Sequence, residues 1–147
     1  DTDKPISKKK LEHCEAACRQ AGLKVTHQRL EIFRALASAT DHPTAETLHK
    51  RLHQNLPTLS VDTVYRTLTT FEEHGIISRV QTTESHARFE ADMEPHHHAI
   101  CLRCQKITDF KWDICDLKAV PENIAEWGQI QRKQITLSGI CAECALK

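Results

Sequence analysis

Cys101-Leu102-Arg103-Cys104 and Cys141-Ala142-Glu143-Cys144 decide how the C-terminal part of this 147-residue chain holds together. Each is a short knuckle with two thiols three positions apart. Two such knuckles supply the four thiolates that a tetrahedral structural Zn²⁺ prefers. The 36 residues between them exceed the roughly 15–20 of a compact ribbon, so a strand, a helix and a second strand must fold back to unite the pairs. The competing reading is four free thiols, a reactive liability when paired and exposed. Of the other three cysteines, Cys14 and Cys18 share a helix face and read as small core residues. Cys115 reads as a core or surface thiol.

Upstream of the first knuckle runs His96-His97-His98, for which a closed Cys₄ site has no room. On a strand, His96 and His98 point to one side and His97 to the other. Two imidazoles on one face make half a metal site, and Glu90, Asp92, Glu94 and Asp109 are carboxylates near in sequence. Asp109 falls on the opposite strand of the expected hairpin, from where it returns to the histidine face. Nitrogen and oxygen donors without sulfur suit Fe²⁺, Mn²⁺ or Zn²⁺. The alternative is a solvated histidine run.

Working toward the N-terminus, periodicity changes. Residues 76–81 alternate with period two, a polar turn follows at 83–85, and His86–Ala91 reads as a second strand. Before that the pattern is helical. Leu11, Cys14, Ala17, Cys18 and Ala21 recur at helical spacing up to Gly22. Thr26 caps a helix carrying Leu30, Phe33, Leu36 and Ala37, and Thr44 caps a third with Ala45, Leu48 and Leu52. Ser60 caps a fourth, with Val61, Val64, Leu68 and Phe71 as its buried stripe. Helices followed by a hairpin predict a winged helix-turn-helix with the fourth helix entering DNA. A plain α+β packing unit without a nucleic-acid role fits the same pattern. Further on, His98–Leu102 and Ile107–Trp112 read as a hairpin, 114–127 as a helix interrupted at Pro121, and Gln129–Leu137 as a strand.

Composition narrows the class without choosing it. Twenty basic residues balance twenty acidic ones, and histidines number ten. Any nucleic-acid contact must therefore come from locally placed charge. No apolar run approaches the roughly 20 residues of a membrane helix. An odd count of seven cysteines in CxxC spacing argues for metal in a reducing, cytoplasmic setting rather than disulfides. No Gly-rich phosphate loop or nucleophile elbow supports catalysis, and the chain is read as no enzyme. A zinc hydrolase at the histidine face and a metal-binding module without DNA are the competing classes.

The stretches Leu23–Arg29, His42-Pro43-Thr44-Ala45, Ser60–Leu68, His96–Cys101 and the two knuckles resemble, in this order, the ferric uptake regulator superfamily. The resemblance implies an N-terminal winged helix-turn-helix (1–84), a hinge (85–95) and a small α/β dimerisation domain (96–147). One structural zinc per subunit would sit on Cys101, Cys104, Cys141 and Cys144. A regulatory Fe(II) or Mn(II), or Zn in vitro, would be held by His42, Glu90, His96, His98 and Asp109. Ser60, Asp62, Thr63, Tyr65 and Arg66 would face a double-stranded operator bound by a homodimer. The implied function is metal-dependent repression. Asp109 and the ten residues between Glu90 and Cys101 resemble the peroxide-sensing branch. Glu90 and Arg66 resemble the iron-sensing one, and a zinc-responsive regulator ranks third. Gln131-Arg132-Lys133-Gln134 stands where many members carry histidines, so His97 is expected in solvent rather than on a metal.

Overall fold

The structure is a computed structural model that describes residues 8–80, 82, 86–113, 119–130 and 132–147. The chain divides into two compact units, Asp1–Met93 and Glu94–Lys147. The turn expected at 83–85, residue Cys115 and Gln131 lie outside the described residues.

The first unit is four helices and a two-stranded wing: α1 (Lys8–Gln20), α2 (His27–Ser38), α3 (Ala45–Leu52), α4 (Val61–Glu73), β1 (Ser78–Val80) and β2 (Arg88–Glu90). Three of the helices start where a hydroxyl takes up an orphan amide. Thr26, Thr44 and Ser60 accept hydrogen bonds from the amides of Arg29, Thr47 and Thr63 at 3.1, 3.2 and 3.1 Å. Two helices end on a glycine with positive φ, Gly22 at 76° and Gly75 at 71°. Around each, the next amide reaches back to the last turn (Leu23 to Cys18, Ile76 to Phe71), a closure that a side chain at the glycine would strain.

The core of this unit joins Cys14, Cys18, Ile32, Phe33, Leu36, Leu48, Val64, Leu68, Phe71 and Phe89. Phe33 and Phe71 meet edge to face at 6.3 Å, a favoured aromatic geometry. Cys14 and Cys18 are buried here, and burial first, then the neighbouring Cys18 thiol, pushes Cys14 up to about 12. A thiol so held is inert at neutral pH. The stripe of α4 differs from expectation at one end. Thr67 joins Val64, Leu68 and Phe71 in the core, whereas Val61 is 41% exposed, because the first turn of α4 projects past the packed surface.

The wing is antiparallel, pairing Ser78 with Glu90, Arg79 with Phe89 and Val80 with Arg88. Its strands are shorter than the alternation suggested, with three residues each. Arg79 fastens the wing to α4. It grips Glu72 through Nε and Nη2 at 3.0–3.2 Å and lies 5.1 Å over the Phe89 ring.

The second unit is built on β3 (His97–Cys101), β4 (Ile107–Phe110), α5 (Glu122–Ala125), β5 (Thr136–Gly139) and α6 (Ala142–Ala145). The sheet order is β4-β3-β5. β3 and β4 form the expected hairpin, and β5 returns parallel to β3. Of the helix expected over 114–127, residues 114–118 lie outside the described residues. Helix runs over Glu122–Ala125, restarting after Pro121 as its N-cap, where the missing amide hydrogen of proline costs no helix bond. One expectation is corrected: the last strand is Thr136–Gly139, not Gln129–Leu137. Its start is set by pairing with β3 at His98 rather than by its own pattern.

Candidate metal centres and nucleic-acid face

Strand register explains how distant knuckles meet. The parallel β3–β5 pairing sets Cys101 opposite Gly139, and the Leu102 amide donates to the Gly139 carbonyl at 2.7 Å. The chain then turns into α6, so Cys141 and Cys144 arrive beside Cys101 and Cys104. One sulfur from each of the four lies within 4.8 Å of the others. Each knuckle aims backbone N–H groups at its leading sulfur. Cys104 donates to Cys101 Sγ at 3.5 Å, Cys144 to Cys141 Sγ at 3.4 Å, and Cys141 to Cys101 Sγ at 3.4 Å.

Those amides, that of Cys104 foremost and then that of Cys141, draw the Cys101 thiol down to about 6. Cys144 moves the other way, to about 12, through hydrogen bonding with the Cys141 thiol, burial, and the nearby Cys101 and Cys104. Four sulfurs this close cannot all ionise on their own. A divalent cation among them reverses that, so the donor set fits a thiolate-bound structural ion.

The nitrogen and oxygen donors form a group in each unit. In the first, His42 Nε2 lies 3.1 Å from Glu90 Oε2 with both side chains buried. Glu90 Oε1 accepts from Ser78 Oγ across the wing at 3.2 Å. In the second, β3 pairs with β4 so that His98 faces Asp109, Nε2 to Oδ1 at 3.4 Å. The His96 ring meets His98 edge-on at 4.8 Å. His96 Nδ1 lies 2.6 Å from the Glu94 carbonyl. A carbonyl only accepts, so Nδ1 carries the hydrogen and Nε2 carries the lone pair, the arrangement of a histidine oriented to bind metal.

His97 corrects the expectation that it lies in solvent. It is 1% exposed, because β3 is the middle strand and the Phe110 ring covers it at 5.5 Å. Its Nδ1 accepts from the Ile135 amide at 2.9 Å, so this ring serves the sheet. The three consecutive histidines therefore split into two oriented toward a donor group and one structural. Alternation alone gave that split in direction but not in burial.

On α4 the residues expected at DNA point away from the core. Ser60, Asp62, Tyr65 and Arg66 are exposed and Thr63 is half-buried. Arg66 pairs with Asp62 one turn back at 3.0 Å, and Ser60 also caps the helix. Arg79 on the wing, which the sequence reading did not single out, lines a shallow cleft together with Tyr65, Glu46 and His86.

Comparison with known proteins agrees with this geometry. Residues 20–139 match the Ferric uptake regulator family. The chain is 33% identical over 135 residues to the peroxide-responsive repressor PerR of Staphylococcus aureus, covering 91% of this chain and 90% of that protein. Among solved structures it resembles the Helicobacter pylori ferric uptake regulator Fur, described as having three functional metal-binding sites. The TM-score is 0.77 at 27% identity, over 99% of this chain and 97% of that one. It also resembles the ferric uptake regulator of Pseudomonas aeruginosa with manganese, with TM-score 0.73 at 31% identity, over 87% and 97%. The chain belongs to the ferric uptake regulator family, and it is a metal-responsive transcriptional repressor rather than an enzyme.

Proposed function

We propose that His42, Glu90, His96, His98 and Asp109 together hold one regulatory Fe²⁺ or Mn²⁺, and that this ion controls repression. The observation that carries the reading is how the donors are distributed. His42 and Glu90 belong to the unit that carries α4, and His96, His98 and Asp109 to the other. His42 and Glu90 alone offer too few donors to hold such an ion, and His96, His98 and Asp109 fill one face of it and leave open positions that the first pair can occupy. An ion that takes ligands from both units fixes the angle between two rigid bodies. It shifts the population toward the DNA-competent arrangement by as much as it prefers that arrangement. Cys101, Cys104, Cys141 and Cys144 hold a separate structural Zn²⁺, one per subunit.

Repressors of this family bind DNA as dimers. The partner here is a two-fold symmetric operator in the cytoplasm, its half-site spacing matched by the two copies of α4. Arg66 suits bidentate contact with guanine, and Tyr65 suits a thymine methyl or a phosphate. Ser60, Asp62 and Thr63 complete the facing surface. For the homodimer, the second unit offers Leu137 on β5, Ile124 and Trp127 near α5, and Ile140, all exposed. An apolar set of this size on so small a unit suits burial against a second copy.

The signal sensed is peroxide. Asp109 on the hairpin and the S. aureus peroxide-responsive relative favour that branch. Iron sensing is the second reading, favoured by Glu90 and by the solved ferric uptake regulators. Bound Fe²⁺ would supply the reducing electron that opens the peroxide O–O bond. His42 or His96 would be oxidised, one peroxide oxygen staying on the ring and the other leaving as water, after which ligation would fail and DNA would be released. The test loads the protein with Fe²⁺, adds peroxide and weighs the peptides containing His42 and His96. A gain of one oxygen on either, absent with Mn²⁺, is the expected result. Unmodified peptides with DNA binding retained select the iron-sensing reading. In gel shifts, DNA binding that needs Mn²⁺ and weakens in His96→Ala is expected. DNA binding indifferent to metal rejects the regulatory reading.

A further inference from the structure

We propose that Arg88 is a positioning residue that holds His42 in the backbone conformation metal binding requires, so that half of the regulatory site is pre-formed by the wing. The proposal rests on the reading of His42 as a ligand.

His42 stands at φ 51°, the left-handed region that a side chain with a Cβ rarely adopts. Pro43 follows it, and a proline narrows the choices of the residue before it further. Gln105, at φ 64°, occupies the tight turn of the β3–β4 hairpin, where such a conformation is ordinary. His42 instead lies in the connection between α2 and α3, where turn geometry does not demand it. Strain of this kind persists only where the surroundings over-determine it, and it gathers at ligand clamps.

The surroundings here do so. Arg88 Nη1 donates to the carbonyls of Asp41 and His42 at 3.2 and 3.3 Å. Asp41 is gripped in turn by both Nη atoms of Arg51. The Phe89 amide donates to the Pro43 carbonyl at 3.1 Å, and Thr44 bridges Arg88 in antiparallel fashion. Residues 41–44 are thus laid along β2 as a third, irregular wing strand. Arg88 and Glu90 fall two apart on that strand and so on the same pleat face. One element therefore shapes the His42 backbone and supplies the carboxylate 3.1 Å from its ring. Ser78 on β1 fixes the other Glu90 oxygen.

The test measures Mn²⁺ affinity by calorimetry on the full-length, zinc-containing protein. Arg88→Gln removes the clamp and is expected to weaken Mn²⁺ binding about tenfold, the lower end of what loss of an orienting partner costs a metal site. Zinc content stays unchanged. Arg88→Lys, which restores a cationic donor near the two carbonyls, is expected to recover part of the loss, which a defect of packing alone would not. Arg51→Gln, which loosens Asp41 without altering any residue of β1 or β2, is expected to weaken binding about threefold, and it carries the test if Arg88→Gln fails to fold. His42→Ala separates the layers. If it abolishes Mn²⁺ binding while the Arg88 and Arg51 variants bind normally, the clamp is refuted and the ligand stands. If His42→Ala binds Mn²⁺ normally, the ligand reading itself falls.

Discussion

The two units of this chain are held together by different physics. The first buries leucines, isoleucines and phenylalanines from α2, α3, α4 and the wing, with Cys14 and Cys18 of α1, around one centre. Among its described residues the second buries only Ile100, Ile107, two zinc-knuckle cysteines and three histidines. It leaves Trp127 76% and Leu137 48% exposed. A unit of this size lacks the volume for a self-sufficient core, and such units rely on metals or partners. The first should therefore be stable as a folded body, and the stability of the second should be conditional on zinc and on a second copy.

The contrast breaks most visibly if the knuckles are disarmed. Cys101→Ser, or strong chelation, should unfold the second unit and abolish the dimer while the helices of the first persist. Structural zinc contributes roughly 10–16 kcal/mol in small domains. Limited proteolysis and sedimentation check this, and a dimer intact without zinc would erase the distinction. Phe71→Ala tests the other side. It should cost about 3–5 kcal/mol and lower the melting of the first unit, with zinc still bound to the second.

Arg66→Ala should weaken operator binding by about 1–3 kcal/mol. Stability should barely change, because the exposed Asp62–Arg66 pair contributes little, and fluorescence anisotropy with a melting curve reads both.

The smallest effect concerns pH. Burial alone would raise the Asp41 carboxyl, but hydrogen bonding and charge from Arg51 outweigh it and hold the group below its usual range. A carboxyl lowered in the folded state stabilises above its unfolded pKa of about 3.9 and loses that contribution as pH falls through the folded value. Asp41→Asn should therefore reduce stability at pH 7. The pair is partly exposed and screened, so the loss should stay under about 1 kcal/mol. The difference from the parent should vanish in strong acid.

Much of this was legible in the sequence, for identifiable reasons. Caps and glycine stops are local chemistry, so Thr26, Thr44, Ser60, Gly22 and Gly75 could be read directly. CxxC spacing names its own partner atoms. What escaped reading depends on tertiary neighbours. Val61 matches the helical period, yet the period does not reveal where the packed surface ends. His97 alternates away from its neighbours, but only the strands on either side of β3 decide that this face is buried. The last strand began later than its apolar pattern suggested because pairing with β3 set its start. The positive φ of His42 and its clamp by Arg88 join residues 46 positions apart, and no local signal encodes that.

One ion drawing ligands from both units is the claim on which the rest depends, and a double-mutant cycle on Mn²⁺ affinity addresses it directly. His42→Ala, His98→Ala and the double variant are compared by calorimetry on the zinc-containing dimer. A shared ion predicts that either single change removes the same one Mn²⁺ per subunit, and that the double change loses nothing more. Two independent partial losses that add in the double variant would mean separate sites, and the account would fail.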